Sequence, residues 1–131
     1  DAEKQLLSTG LLLLDAVYFE SGKADISINS EPYLMIISKM LRKYPKLQVE
    51  VGGHTDNVGS ASKNQSLSQL RAEAVRLFLI QSSPELSNRL TARGYGSLRP
   101  KANNAYAEGR KVNRRVELQV LNKDVLLEYN K

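Results

Sequence analysis

Apolar residues along this chain switch repeatedly between the strand period of two and the helix period near 3.6, which restricts the fold more than any other feature. Leu47, Val49 and Val51 alternate with Gln48 and Glu50, and Val116, Leu118 and Val120 alternate with Arg115, Glu117 and Gln119. Both runs read as strands with one buried face. Leu34, Ile37, Met40, Leu41 and Tyr44 keep helical spacing instead. Ser30 is the expected N-cap of that helix, Glu31 and Pro32 suit its first turn, and Pro45 stops it. A second helix is expected over 61–82, with Leu67, Leu70, Ala74, Leu77 and Phe78 as its apolar stripe. The continuous apolar run of residues 11–19, bounded by Gly10 and the Ser21-Gly22 turn, reads as a buried strand. Leu90 to Ala92 reads as a short strand cut by Gly94 and Gly96. Residues 1–9 carry a weak helical pattern, 97–113 read as a polar irregular loop, and the tail turns helical around Val125–Leu127.

The order strand, helix, strand, helix, strand, long loop, strand predicts an α/β (α+β) two-layer sandwich, β-α-β-α-β-β, with a mixed sheet and helices packed on one face. With 131 residues, 41% of them hydrophobic and 25% charged, the chain has material for one core. The expected division is an N-terminal extension over 1–10, a domain over 11–121 and a C-terminal tail over 122–131. The longest apolar run, Leu11 to Leu14, ends at Asp15 and falls far short of the roughly 20 residues that span a bilayer. A sequence starting at Asp1, with neither Met nor a basic leader, reads as a mature form or an excised domain, so any membrane attachment is expected in segments outside it. The net charge of +5 favours acidic or polyanionic partners without choosing among them. The absence of cysteine excludes disulfides, thiolate metal sites and cysteine nucleophiles.

Gly53-His54-Thr55-Asp56 stands at the end of a strand, where α/β sheets bind their ligands. Asp56 is then a fixed anion at the rim, either capping local amides or facing a ligand. Arg71 follows on the second helix, with Asn64 seven residues before it. Seven residues turn a helix by about 700°, so the two lie within ~20° of one another, on the flank of the apolar stripe. An arginine there needs a partner. Two arrangements supply one: a plain ion pair with Asp56, or a ligand bearing both an ammonium and a carboxylate, gripped by Asp56 and Arg71 together. Arg110-Lys111-Val112-Asn113-Arg114-Arg115 sets four cations ahead of the last strand, either as a solvated basic edge or as an anion contact. His54, the only histidine, reads as structural rather than metal-ligating. No spacing matches a metal site, a phosphate-cradling loop or an activated nucleophile, so neither catalysis nor a cofactor is expected.

Taken together, Gly53-His54-Thr55-Asp56, Gly59, Asn64, Leu67-Ser68, Arg71-Ala72, Val75, Gly94-Tyr95-Gly96, Pro100, Asn103, Gly109-Arg110 and Asn113-Arg114-Arg115-Val116-Glu117 resemble the OmpA-like domain family. Phe19, Gly22, Ala24 and Ile26 resemble that family's opening strand and turn, so the likeness covers about residues 11–121. The resemblance implies non-covalent, non-catalytic binding of peptidoglycan through the diaminopimelate of its stem peptide. It implies an envelope protein tied to the cell wall in the periplasm, at the outer membrane of a Gram-negative bacterium. It also implies roles: Asp56 for the ligand's ammonium, Arg71 for its carboxylate, Thr55 and Asn64 lining or orienting the site, Leu67 packing beside it, and Arg110 and Arg114 closing the cleft. Two other classes compete with it. One is a basic module binding nucleic acid through Arg110–Arg115, which lacks the aromatic platforms of single-strand binders. The other is a metal-dependent cell-wall hydrolase using His54 and Asp56.

Overall fold

The structure, a computed structural model, describes residues 1–130. In chain order the elements are α1 (Ala2–Thr9), β1 (Leu11–Leu13), α2 (Glu31–Arg42), β2 (Val49–His54), α3 (Ala61–Ser82), β3 (Leu90–Gly94), α4 (Ala107–Asn113), β4 (Arg115–Val120) and α5 (Leu126–Tyr129). The four strands form one sheet in the order β1-β4-β2-β3. β2 runs parallel to β3, and β4 runs antiparallel to both β1 and β2. This is the expected mixed sheet of an α+β fold. None of the helices described is long and apolar enough to cross a membrane.

Register sorts the two faces. Val51 pairs with Ala92 and with Leu118, and Leu118 pairs with Leu12, so one face is a continuous apolar row. Leu34, Ile37 and Leu41 of α2 and Ala72, Val75 and Leu79 of α3 join Leu12, Val49, Val51, Leu118 and Val120 in the core on that side. The next row pairs Gly52 with Arg93 and Glu117 and points the other way. That second face is polar.

Of the expected α3 stripe only Phe78 packs against the core, and the buried stripe lies elsewhere on the helix. Ser68, Ala72, Val75 and Leu79 are buried, whereas Leu70 and Leu77 stand more than half exposed. The cause is the closeness of helix and sheet. A Cβ at Gly53 would lie 2.2 Å from the Ser68 carbonyl oxygen, and one at Gly94 would lie 2.3 Å from the Gln69 amide nitrogen. Where the helix is pressed this near to strand backbone, at Ser68 and Ala72, only small residues fit inward, while Val75 and Leu79 fill the core further along and Leu70 and Leu77 face away.

The same closeness lets α3 seal the exposed edge of β3. The outward backbone groups there are taken by helix side chains. Gln65 Nε2 donates to the Gly94 carbonyl at 2.6 Å, Gln69 Nε2 to the Ala92 carbonyl at 3.2 Å and Arg76 Nε to the Leu90 carbonyl at 2.6 Å, while Gln69 Oε1 accepts from the Gly94 amide at 2.7 Å. An open strand edge is a template for pairing with another chain. Gln69→Ala is expected to cost about 1–3 kcal/mol, since two backbone groups lose their partners, and to promote association. Urea unfolding with light scattering measures both. A variant as stable and as monodisperse as the parent would show that the edge needs no such cover.

Four other places depart from the sequence expectation. β1 covers only Leu11–Leu13, not 11–19, because its last ladder bond is Leu14 N–H to the Val116 carbonyl at 2.9 Å. The chain then turns, and Phe19 meets Ile26 in an isolated antiparallel bridge across the turn at Gly22. Ser30 precedes α2 but makes no side-chain cap; its buried hydroxyl instead accepts from the Tyr18 amide at 2.7 Å. β3 runs through Gly94 rather than stopping at Ala92. Residues 97–113 are not all irregular, since α4 occupies their end. Asn113 organises this segment. Its Oδ1 accepts from the Lys101 and Ala102 amides at 2.7 and 2.9 Å, and its Nδ2 donates to the Ala102 carbonyl and Asn104 Oδ1 at 2.9 and 2.8 Å.

Both ends of the described chain are docked. Leu6 of α1 and Leu126 of α5 are buried in the core, and Asn130 Nδ2 donates to the Leu7 carbonyl at 2.7 Å. α5 confirms the helical reading of the tail around Val125–Leu127, although Lys131 of the expected 122–131 tail lies outside the described residues.

Candidate functional site

β2 ends at His54, and the chain leaves the sheet through a buried pair, Thr55 and Asp56. The Thr55 amide donates to the Gly96 carbonyl at 2.8 Å, tying this exit to the end of β3, and its hydroxyl donates to the Asp56 carbonyl at 2.7 Å. Asn64, on the first turn of α3, reaches back to the Val58 carbonyl at 3.0 Å and the Asp56 carbonyl at 3.4 Å. The loop that carries Asp56 is therefore held on both sides, by the sheet and by the helix.

Asp56 is almost covered, with a side chain 12% exposed. Its Oδ1 accepts from the Val58 amide at 3.0 Å and its Oδ2 from Arg114 Nη1 at 2.7 Å. Burial pushes its pKa up, but the Val58 amide and the Arg114 guanidinium outweigh burial and hold the carboxyl below its ordinary value. Each carboxylate oxygen has a second lone pair, so both remain able to accept from a ligand. Arg114 is half exposed at the rim. Arg110 donates from Nη1 to the Asn104 carbonyl at 2.9 Å, and its charge also acts on Asp56.

Arg71 does not pair with Asp56; the plain ion pair is replaced by Asp56–Arg114. Arg71 Nε donates to the Lys23 carbonyl at 2.8 Å and Nη2 to the Glu20 carbonyl at 3.2 Å, with the guanidinium 4.8 Å from the Phe19 ring centroid. The turn between Phe19 and Ile26 thus fixes the Arg71 fork and leaves Nη1 without a partner among the described residues. Burial and then the neighbouring Arg114 charge lower its pKa from the ordinary value. The Arg114 charge acts on both Asp56 and Arg71, whereas Arg71 makes neither a hydrogen bond nor an ion pair with Asp56 among the described residues. Leu67, on α3 between Asn64 and Arg71, is partly exposed and is not among the side chains packed on the core. The carbonyls that hold Arg71 carry no sequence signal, because a backbone acceptor has no residue type. The Asp56–Arg114 pair joins residues 58 apart and could be found only as a resemblance.

His54 falls elsewhere, and the expected basic segment is divided between Asp56 and the polar face of the sheet. His54 turns to the polar face, where Nε2 lies 3.2 Å from Glu117, and it stacks on Tyr95. Glu117 also lies 3.1 Å from both Lys101 Nζ and Arg115 Nε. Burial works against the Glu117 charge, but His54, Arg115 and Lys101 prevail and bring its pKa down to about 2. Among the described residues no group of three His, Cys, Asp or Glu side chains could hold a metal ion. The four cations of residues 110–115 form no continuous patch. Arg110 and Arg114 attend Asp56, whereas Arg115 is buried on Glu117.

The profile of the OmpA family matches residues 18–114. Outer membrane porin F of Pseudomonas aeruginosa is 42% identical over 104 residues, covering 79% of this chain and 30% of the porin. The chain therefore spans less than a third of that relative. Among solved structures, the cell wall anchor of the T6SS from Pseudomonas aeruginosa superimposes with a TM-score of 0.72 at 38% identity, covering 84% of this chain and 78% of the anchor. The peptidoglycan-associated lipoprotein from Burkholderia pseudomallei superimposes with a TM-score of 0.71 at 27% identity, covering 79% and 87%.

Proposed function

The chain belongs to the OmpA family, and from that premise we propose that it binds peptidoglycan non-covalently, taking the diaminopimelate of the stem peptide between Asp56 and Arg71. What supports this most is that Arg114, bonded to a nearly covered Asp56, also exerts its charge on Arg71. Diaminopimelate ends in an ammonium and a carboxylate. The free lone pairs of Asp56 suit the ammonium. The Nη1 of Arg71, on a guanidinium already oriented by two carbonyls, suits the carboxylate, and little rotamer freedom is lost on binding. Thr55 and Asn64 act by holding the Asp56 loop. Arg114 and Arg110 keep Asp56 ionised and close the far side. Leu67 offers an apolar wall to the ligand's methylenes.

On this reading, residues 11–121 form the binding domain, with α1 and α5 closing its end. It performs no catalysis and uses neither metal nor cofactor. It works in the periplasm of a Gram-negative bacterium, tying an outer-membrane protein to the wall. Each charge-assisted bond contributes roughly 1.5–3 kcal/mol, so single-site affinity falls in the micromolar to millimolar range, with avidity from the polymer. Co-sedimentation with purified peptidoglycan tests it. Asp56→Ala and Arg71→Ala should each lower retention at least tenfold, with melting temperatures measured alongside to separate lost contacts from lost fold. Folded variants retained like the parent would sink the assignment. Because the Asp56 pKa is lowered, the carboxylate stays charged well into the acid range. Retention should therefore be flat between about pH 5 and 8; a fall over that interval would point to a different group.

A further inference from the structure

The polar face of the sheet carries charge that the Asp56 site does not use. Gly52 has no side chain there, and the Tyr95 ring lies across it; a Cβ at Gly52 would touch Tyr95 at 3.4 Å. His54 stacks on that ring with centroids 5.1 Å apart and planes 12° from parallel. The Arg99 guanidinium lies 4.0 Å from the ring centroid and the Arg93 guanidinium 4.9 Å from it. Both acids of this face are already engaged. Glu50 accepts the Tyr95 hydroxyl, and Glu117 holds His54, Lys101 and Arg115. Two guanidiniums therefore converge on one aromatic ring, and neither makes an ion pair among the described residues. The charge continues across β4 into a groove of about 490 Å³ lined by Arg99, Lys101, Arg115 and Glu117, with Gln119 and Lys123 further along. Arg115 and Gln119 stand four residues apart on one strand, so the groove runs about 13 Å.

The geometry points to a second binding site on this face for a phosphate-bearing ligand, with Arg93 and Arg99 as its principal contacts and Lys123 at its far end. Two like charges held on one ring repel each other, and an anion between them relieves that repulsion. A phosphate suits the pair, since its several oxygens can take bonds from two planar forks at once. The cation–π contact with Tyr95 already places the Arg99 guanidinium over the ring, so less freedom is lost on binding. Arg114 and Arg115 point to opposite sides, one to Asp56 and the other to Glu117, so the two sites are separate. The same phosphate chemistry is offered by a soluble phosphate and by a lipid headgroup.

The test uses the whole chain with three probes: inorganic phosphate followed by amide shifts in NMR, vesicles of phosphatidylglycerol, and vesicles of phosphatidylcholine. The protein is expected to bind at least one phosphate probe in a salt-sensitive way, with shifts centred on Arg93, Tyr95 and Arg99. Arg93→Gln combined with Arg99→Gln should weaken that binding at least tenfold while leaving the melting temperature and peptidoglycan retention unchanged. Response to inorganic phosphate alone would support the site with a soluble ligand. Preference for phosphatidylglycerol vesicles over phosphatidylcholine would support it with a headgroup. No binding to any probe, or equal binding by the double variant, overturns the proposal.

Discussion

Gly53→Ala and Gly94→Ala are each expected to destabilise the protein by more than about 3 kcal/mol, at the upper end of what overpacking costs. The added methyl would meet the Ser68 carbonyl at 2.2 Å in the first case and the Gln69 amide at 2.3 Å in the second. Neither obstacle is a side chain that can swing away. Both are backbone of a 22-residue helix, which must move by about 1 Å or more to restore ordinary contact. Moving α3 also shifts Asn64 and Arg71, so ligand binding should fail in whatever fraction stays folded. Gly59→Ala is the matched control. Gly59 has φ +85, and an added methyl there would meet nothing within 4 Å, so only the left-handed backbone penalty of about 1–2 kcal/mol applies. Thermal unfolding of the three variants decides it. If Gly53→Ala melts with Gly59→Ala, within a few degrees, helix and sheet are not in the contact described.

Glu117→Gln should cost about 3–5 kcal/mol, because it leaves Arg115 buried opposite a neutral amide. Arg115 is only 6% exposed and Glu117 only 9% at the side chain, so solvent cannot take over. The same carboxylate governs acid stability. Its folded pKa is about 2 against an ordinary 4.5. A depressed carboxylate adds stability that is fully present above the unfolded value and is lost as pH falls through the folded one. The window is therefore about pH 4.5 down to 2, and the whole contribution is roughly 3 kcal/mol. Denaturant unfolding of the parent should weaken steadily across that window, while Glu117→Gln, already weaker at neutral pH, should show a shallower slope there. Parallel slopes for the two proteins would remove Glu117 from the acid response.

These two regions also show what could be read beforehand. The bounds of α3, 61–82, follow from its pattern, as do the alternating strands around Val49–Val51 and Val116–Val120. The face of α3 does not. Hydrophobicity favours Leu70 and Leu77 for burial, but the decision belongs to Gly53 and Gly94, which bring the helix so near that Ser68 and Ala72 fit and leucine does not. α4 is hidden for a related reason. Residues 97–113 look irregular because they are polar, yet Asn113 supplies the bonds that a core would otherwise provide. Asp56, Arg71 and Asn64 stand out by spacing and residue type, whereas Thr55 enters as a site residue only through the family resemblance. Which cation meets Asp56 depends on how β4 lies beside β2, a register no local pattern encodes, and so Arg114 rather than Arg71 forms the pair. Glu117 alternates like any solvent-facing strand residue, and its three partners come from β2, the loop after β3 and β4 itself.

The proposed zwitterionic grip by Asp56 and Arg71 is tested most directly by calorimetric titration with two soluble stem peptides, identical except that one carries diaminopimelate and the other lysine. Lysine keeps the ammonium and lacks the terminal carboxylate. The diaminopimelate peptide should bind at least tenfold more tightly, and Arg71→Ala should erase most of that difference. Equal affinity for the two peptides would contradict the account.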